Sequence, residues 1–191
     1  PVDTGYGVWQ WVHRHRTKLG GQGALVYLAG EEAGGNLAAA VALMARDQAH
    51  PPLAGQILLS PMLDPCVGSA SQRRTTGDAV DCKWVQGWRN FLRCPRDAEH
   101  PYAVPASAHR LAGLPPTLVL VGDTDPMRDE ALAYAARLHA AGLQVTQHVF
   151  AKAEKWPEPL LETGPHECPC AGAVQEEFRR FFEATRCRES S

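Results

Sequence analysis

The chain has 191 residues and a mass of 20.8 kDa, which is enough for one domain with a substantial core. Apolar residues make up 45% and charged residues 21%, so the disordered, collagen-like and coiled-coil classes are excluded. A formal net charge of -2 gives no electrostatic reason to expect nucleic acid or an anionic membrane as a partner. We expect residues 1–191 to form a single domain.

The sequence gives little evidence for a targeting signal or for cysteines paired at metal-binding spacing. No segment is apolar for the length of a membrane span, and the start at Pro1 rather than Met makes the cytoplasm only a default expectation. The six cysteines form no C-x-x-C pair, and Cys168-Pro-Cys170 has no second pair at zinc spacing. We expect no metal, no cofactor and free thiols, because a chain of this size does not need disulfides for stability.

Short β-rich runs alternate with longer helical runs in the first half of the chain, which predicts a parallel sheet with crossover helices. The spacing of apolar residues predicts a helix over 3–18, a strand over 24–29, a helix over 32–48 and a strand over 54–60. A less regular region follows, with a helix predicted over 81–92.

The same alternation continues in the second half. The sequence predicts a buried strand over 117–121, a helix over 126–141, a strand over 143–150 and, after a proline-rich loop, a helix over 171–184. Four parallel strands with helices between them form a doubly wound α/β sheet, and such sheets bind ligands at the carboxyl ends of the strands.

Three separated polar residues each follow a strand end. They are Glu32, Asp125 and His166. The predicted sheet therefore brings all three to one rim.

The segment around Glu32 has every part of a hydrolase nucleophile elbow except the nucleophile. In the pattern G-x-S-x-G, a serine lies on a sharp turn between a strand and a helix, and the glycines let the two elements pack closely. Here Gly30 and Gly34 take the glycine positions, and Glu32 takes the position of the serine.

Two motifs carry a resemblance to a known family. G-E-E-A-G-G-N-L at 30–37 and G-D-T-D-P-M-R-D-E at 122–130, with L-L-S-P at 58–61, closely resemble the bacterial branch of the hormone-sensitive lipase family, the acetyl-esterase-like carboxylesterases. The resemblance implies an α/β-hydrolase fold. It also implies hydrolysis of short-acyl esters in an intact member of the family.

The resemblance assigns a role to each residue of the predicted rim. It places the nucleophile position at Glu32, the triad acid at Asp125 and the triad base at His166, and the backbone N–H of Ala33 supplies half of the oxyanion hole. His148 is the competing base, but it lies within an alternating strand, where packing is the simpler role. A small residue and an aromatic usually follow the histidine in this family, whereas Glu167 and Cys168 follow His166 here.

Two departures from the family bear on activity. The family has serine where this chain has Glu32, and it has an upstream H-G-G-G loop with further oxyanion donors, together with first strands and a cap that we expect this chain to lack. Losing one oxyanion donor costs about a hundredfold to a thousandfold in turnover, and losing the nucleophile about a millionfold. We therefore expect an esterase scaffold that is impaired in ester hydrolysis.

Several interpretations of Glu32 stay open. A carboxylate at a helix N-terminus is favoured in its charged form, so we expect an ion pair between Glu32 and His166. The alternatives are a non-catalytic homologue that binds a small molecule or a partner and, with less support, a hydrolase that uses Glu32 as a carboxylate nucleophile. Because missing strands leave a sheet edge unpaired, we also consider a homodimer or association with a chain that supplies those strands.

The remaining polar and aromatic candidates have simpler roles. We expect Asp123 and Asp129 to hydrogen-bond or favour the turn and helix beside the acid. Ser60 lacks the elbow pattern of a nucleophile. The aromatic cluster at 84–91 is expected to pack in the core or in a cap rather than to form a substrate wall.

Overall fold

The described residues of the computed structural model contain a four-stranded parallel sheet with the strands in chain order. The strands are β1 Tyr27–Glu31, β2 Gly55–Leu59, β3 Thr117–Gly122 and β4 Val145–Phe150. The structure describes residues 1–49, 53–65, 68–76, 83–154, 156 and 169–186. The predicted α/β sheet is confirmed. Strand β1 begins three residues later than predicted, and it ends two residues later because Gly30 and Glu31 still pair with β2.

Five of the six helices in the described residues fall where the apolar spacing predicts them, with ends that differ by no more than two residues. The six helices are α1 Val2–Gly20, α2 Ala33–Asp47, α3 Ala70–Thr76, α4 Lys83–Phe91, α5 Arg128–Ala140 and α6 Ala171–Arg186, with short 3-10 turns at Pro95–Glu99, Pro105–Ser107 and Lys152–Glu154. Helix α3 lies in the region predicted to be irregular. Its seven residues are mostly polar and too few to give an apolar period.

The sheet is covered on both faces. Leu58 of β2 and Val119 of β3 pack with α2 and α5 on one face, where α1 lies against α2. Ile57 and Leu118 are in the cluster that contains Phe181 of α6 on the other face. Neighbouring strand residues thus contact opposite layers, and every residue of β3 is buried.

Helix α6 approaches the sheet closely because one strand residue has no side chain. A Cβ added to Gly55 of β2 would lie 2.8 Å from the ring of Phe181 and 3.0 Å from that of Tyr27. Tyr27 also hydrogen-bonds the hydroxyl of Thr185 at 2.7 Å. These contacts fix the last helix on the sheet.

The carboxyl ends of the first three strands lie level with one another. Glu31 is beside Leu59, and Leu59 is beside Leu120. The residues that follow these strand ends therefore share one rim, as the sequence predicts.

The cysteines depart from the sequence prediction. Cys170 is disulfide-bonded, whereas Cys94 is a free and exposed thiol. The expectation of free thiols is therefore wrong for Cys170. Chain length bears only on whether a disulfide is needed, not on which thiols the fold brings together.

Within the part of the chain that is described, no helix combines the length and the apolar character that crossing a bilayer requires.

Candidate functional site

The turn between β1 and α2 has the sharp geometry of a nucleophile elbow. A single residue, Glu32, separates the strand from the helix, with φ 46° and ψ -114°. Its N–H donates to the carbonyl of Leu59 at 3.0 Å, and its carbonyl accepts from the N–H groups of Met62 at 3.0 Å and Asn36 at 3.1 Å. Positive φ is costly for a residue with a side chain, and these three bonds hold it in place.

The elbow glycines have different steric roles. A Cβ on Gly30 would overlap the carbonyl of Gly34 and lie 2.7 Å from the nitrogen of Gly35. A Cβ on Gly35 would lie 2.8 Å from the side chain of Pro61, whereas a Cβ on Gly34 would meet nothing within 4 Å. Close packing of strand and helix therefore requires Gly30 and Gly35.

The Glu32 carboxylate is partly exposed and faces a lysine. Its side chain is 34% exposed, and its Oε1 lies 3.9 Å from Nζ of Lys83 at the start of α4. Burial raises the pKa of Glu32 above its ordinary value, and the charges of Glu31 and Asp125 act in the same direction, while Lys83 opposes them. Burial is the largest of these effects, so the net shift favours the neutral form of Glu32, and the stabilisation of its charge by the helix terminus stays a prediction.

The predicted ion pair between Glu32 and His166 stays a prediction. His166 lies outside the described residues. The partner of Glu32 in the described residues, Lys83, carries no sequence signal beyond its position near the start of a predicted helix.

Asp125 lies after β3 and is the most buried acid of the rim, with 2% exposure. Its Oδ1 accepts from the N–H of Met127 at 2.8 Å. Its Oδ2 accepts from the hydroxyl of Ser60 and from the indole Nε1 of Trp156, the latter at 3.0 Å. Burial raises the pKa of Asp125, and these hydrogen bonds oppose the rise.

Ser60 and Trp156 are site residues that sequence reasoning missed. Ser60 follows β2 with φ 40°, and its hydroxyl bonds the acid instead of acting as a nucleophile. The Trp156 ring stacks on Phe150 with centroids 4.7 Å apart and 19° between the planes. It also lies over Gly122, where a Cβ would be 2.7 Å from its Cδ1.

A cavity of about 260 Å³ opens beside the elbow. Ala33, the predicted oxyanion donor, lines it together with Trp88 and Phe91 of α4. The other lining residues are Pro1, Asn36, Leu37, Met62 and Gly87. Trp84 and Trp88 are buried in one apolar cluster, in keeping with the expected packing in the core or in a cap, and Trp88 also contributes to the cavity wall with Phe91.

One buried amide fixes the wall of this cavity. Asn36 of α2 donates from Nδ2 to the carbonyl of Met62 at 2.9 Å and to that of Ala103 at 3.2 Å. The cavity wall therefore depends on a side chain of the elbow helix.

The remaining sequence candidates have structural contacts. His148 lies 3.5 Å from the carboxylate of Glu177 on α6, in keeping with packing on that face. Asp123 bonds the guanidinium of Arg128 at 2.8 Å. Asp129 accepts from the N–H of Ser71 at 2.8 Å.

No group of three or more His, Cys, Asp or Glu side chains that could hold a metal occurs among the residues that the structure describes.

Comparison with known proteins identifies the scaffold. A family model described as alpha/beta hydrolase fold matches residues 1–154. The chain belongs to the α/β-hydrolase family. The match covers both the elbow and the acid turn, so the fold assignment includes the two motifs that the sequence singled out.

Relatives in this family include enzymes and a receptor. The chain is 30% identical over 151 residues to esterase LipI of Mycobacterium tuberculosis, which covers 77% of this chain and 47% of that protein. It is 34% identical over 154 residues to gibberellin receptor GID1C of Arabidopsis thaliana, with 75% and 44% covered. The chain thus spans about half the length of these relatives.

Solved structures give the same scaffold. An esterase from Pyrobaculum calidifontis superposes with a TM-score of 0.80 at 29% identity, over 96% of this chain and 61% of that one. A bacterial heroin esterase superposes with a TM-score of 0.74 at 29% identity, over 95% and 58%. The scaffold is therefore that of esterases.

Proposed function

We propose that this chain is the elbow-bearing part of a carboxylic-ester-hydrolase-like protein that has lost ester hydrolysis at its elbow. The observation that supports this is the contrast within one residue: Glu32 keeps the strained turn geometry of a nucleophile and carries a carboxylate where a hydroxyl is needed. Within the α/β-hydrolase family, the two motifs favour the hormone-sensitive lipase branch.

A glutamate does not replace the serine chemically. Its oxygens lie two further C–C bonds of about 1.5 Å each from the backbone, more than the roughly 1 Å tolerance for attack. Attack on an ester carbonyl would form an anhydride and expel an alkoxide, which needs a proton. In the described part of the chain, the cation paired with Glu32 is Lys83 at 3.9 Å, a distance that gives weak charge stabilisation.

The test measures hydrolysis of p-nitrophenyl acetate by the wild-type chain, by Glu32→Gln and by a matched control, Glu31→Gln. Glu31 is the exposed carboxylate next to the elbow. We expect all three to hydrolyse the ester at the buffer rate, since loss of a triad nucleophile costs about a millionfold. Hydrolysis by the wild type that disappears only in Glu32→Gln would show a carboxylate nucleophile and contradict the proposal.

A second candidate is a binding protein without turnover, and the cavity beside Ala33 favours it. Its lining is largely apolar, and the match to a gibberellin receptor shows that receptors share the scaffold. A small ester such as phenyl acetate would then raise the melting temperature in a concentration-dependent way.

The variant that tests this binding is Phe91→Ser, because Phe91 lines the cavity and is 37% exposed. Its matched control is Trp11→Ser, which changes an aromatic that is 49% exposed on α1 and outside the cavity lining. We expect the thermal shift to disappear in the first variant and to remain in the second. An absence of any shift in the wild type over a range of aryl and alkyl esters would count against a binding role.

A further inference from the structure

The indole of Trp156 makes the contact that a triad base normally makes. In a Ser-His-Asp triad, the histidine donates one ring N–H to the acid, which orients the ring and stabilises its protonated form. Here the ring N–H on Asp125 comes from Trp156, with Nε1 at 3.0 Å from Oδ2. The same N–H lies 3.2 Å from the hydroxyl oxygen of Ser60.

One oxygen of the acid, Oδ2, has no capacity left for another donor. A carboxylate oxygen accepts about two hydrogen bonds, and Oδ2 of Asp125 already accepts from Ser60 and Trp156. The other oxygen, Oδ1, is bound by the N–H of Met127 in the turn before α5. A histidine could therefore pair with Oδ2, the oxygen that also binds Ser60, only if the indole left.

Three contacts keep the indole in this place. It stacks on the fully buried Phe150 and bonds both Ser60 and Asp125. Its approach also depends on Gly122, because any side chain there would collide with the ring. The match to the family model ends at residue 154, so Trp156 enters the site just past the last family-matched residue.

We propose that Trp156 occupies the base position on Asp125 and excludes a histidine base from this cleft. This inference rests on the proposed function, since it concerns the same cleft. It adds a second, independent loss: the ring on Oδ2 of Asp125 is an indole, whose N–H donates to the acid but has no basic lone pair to take a proton from a nucleophile. Replacing Glu32 by serine would therefore not rebuild a triad, and His166 would contribute nothing to the reactivity of that serine.

The first experiment tests the hydrogen bond in solution. In the ¹⁵N-labelled full chain, the indole N–H resonance of Trp156 is identified by its loss in Trp156→Phe. We expect that N–H to exchange slowly with solvent and to shift in Ser60→Ala, which removes one of its partners. The exposed indole of Trp11 is the control and is expected to exchange fast and not to shift. Fast exchange of the Trp156 N–H would overturn the proposal.

The second experiment tests the consequence for reactivity. A fluorophosphonate probe reacts with an activated serine: the serine oxygen bonds phosphorus, fluoride leaves, and a base takes the hydroxyl proton. We compare Glu32→Ser with the double variant Glu32→Ser/His166→Ala and expect equal labelling rates. Labelling of Glu32→Ser that falls a hundredfold or more without His166 would identify His166 as the base and overturn the proposal.

The two proposals fail in different ways. Hydrolysis by the wild type that depends on Glu32 would contradict the proposed function and leave the position of Trp156 unaffected. Labelling that depends on His166 would contradict the role of Trp156 and leave the loss of activity at residue 32 standing. A circular dichroism spectrum confirms that each variant is folded before its hydrolysis or labelling is interpreted.

Discussion

The elbow and the turn after β3 are held in place by different kinds of contact. At the elbow, close backbone contacts surround Gly30 and Gly35, and the Glu32 side chain is partly exposed. At the turn after β3 the acid Asp125 is present, and its ring partner is Trp156. The elbow is thus fixed mainly by the packing of its backbone, and the turn after β3 by hydrogen bonds to a buried side chain.

The physical reason is the difference in what each residue contacts. Gly30 and Gly35 lie where strand, helix and Pro61 approach within contact distance, so a side chain there would force the elements apart. Glu32 directs its carboxylate toward the partly exposed Lys83, where many side chains would be tolerated. Close packing therefore restricts the elbow glycines and leaves the Glu32 side chain less restricted.

The largest effect is expected from breaking the elbow backbone. Gly30→Ala places a Cβ against the carbonyl of Gly34, so we expect a loss of about 3 kcal/mol or more in the free energy of unfolding. Gly34→Ala is the matched control, since a Cβ there meets nothing within 4 Å, and we expect it to be neutral or slightly stabilising. Denaturant unfolding of both variants measures the difference. Equal stabilities would contradict the steric account of the elbow.

The next effect on stability, intermediate for a change of one pH unit, is expected at a buried glutamate of α5. Glu130 of α5 is 9% exposed and accepts the N–H of Leu63 at 2.9 Å. Burial raises its pKa from an ordinary 4.5 to about 8. Between these two pH values the unfolded chain loses the Glu130 proton while the folded chain keeps it. Stability therefore falls as the pH rises, by at most about 1.4 kcal/mol per pH unit.

Glu130→Gln keeps an acceptor for Leu63 and removes the titration. We expect the variant to match the wild type near pH 4.5 and to become the more stable protein near pH 8. Denaturant unfolding over this pH range gives the comparison. A constant difference between the two proteins at all pH values would show that Glu130 is not the titrating group.

The smallest effect is expected at the Glu32 side chain. Lys83→Gln removes an ion pair whose side chains are 44% and 34% exposed, so we expect stability to change by no more than about 0.5 kcal/mol. The pKa of Glu32, followed by NMR titration, should rise because Lys83 is the charge that lowers it. A pKa that stays the same would remove Lys83 from the electrostatics of the elbow.

The sequence predicts the sheet and most helices because their apolar periods are long and local. It predicts β3 as a buried strand, and all six of its residues are buried. It misses α3, whose polar residues are tied to α5 through Ser71 and Asp129, a contact between positions 58 residues apart. Contacts of that kind leave no periodic signal in the chain.

The same limit applies to the site. Strand ends are predictable, so Glu32 and Asp125 were expected at one rim, and the charge of Asp125 does raise the pKa of Glu32. Lys83, Ser60 and Trp156 come from other elements, and their partners are set by packing. No sequence motif identifies Trp156 as a site residue, because an aromatic in a proline-rich loop can have many roles.

The way α6 is attached to the sheet has a consequence for protein engineering. Strand β4 ends at the buried Phe150, and α6 is held by Phe181 against Gly55. Both ends of the connecting segment that contains Trp156 and His166 are thus anchored in the core. Because the entropy of closing a loop depends only weakly on its length, this connector can be exchanged as a cassette for one of another length. The residue presented to Asp125 would then change while the core stays the same.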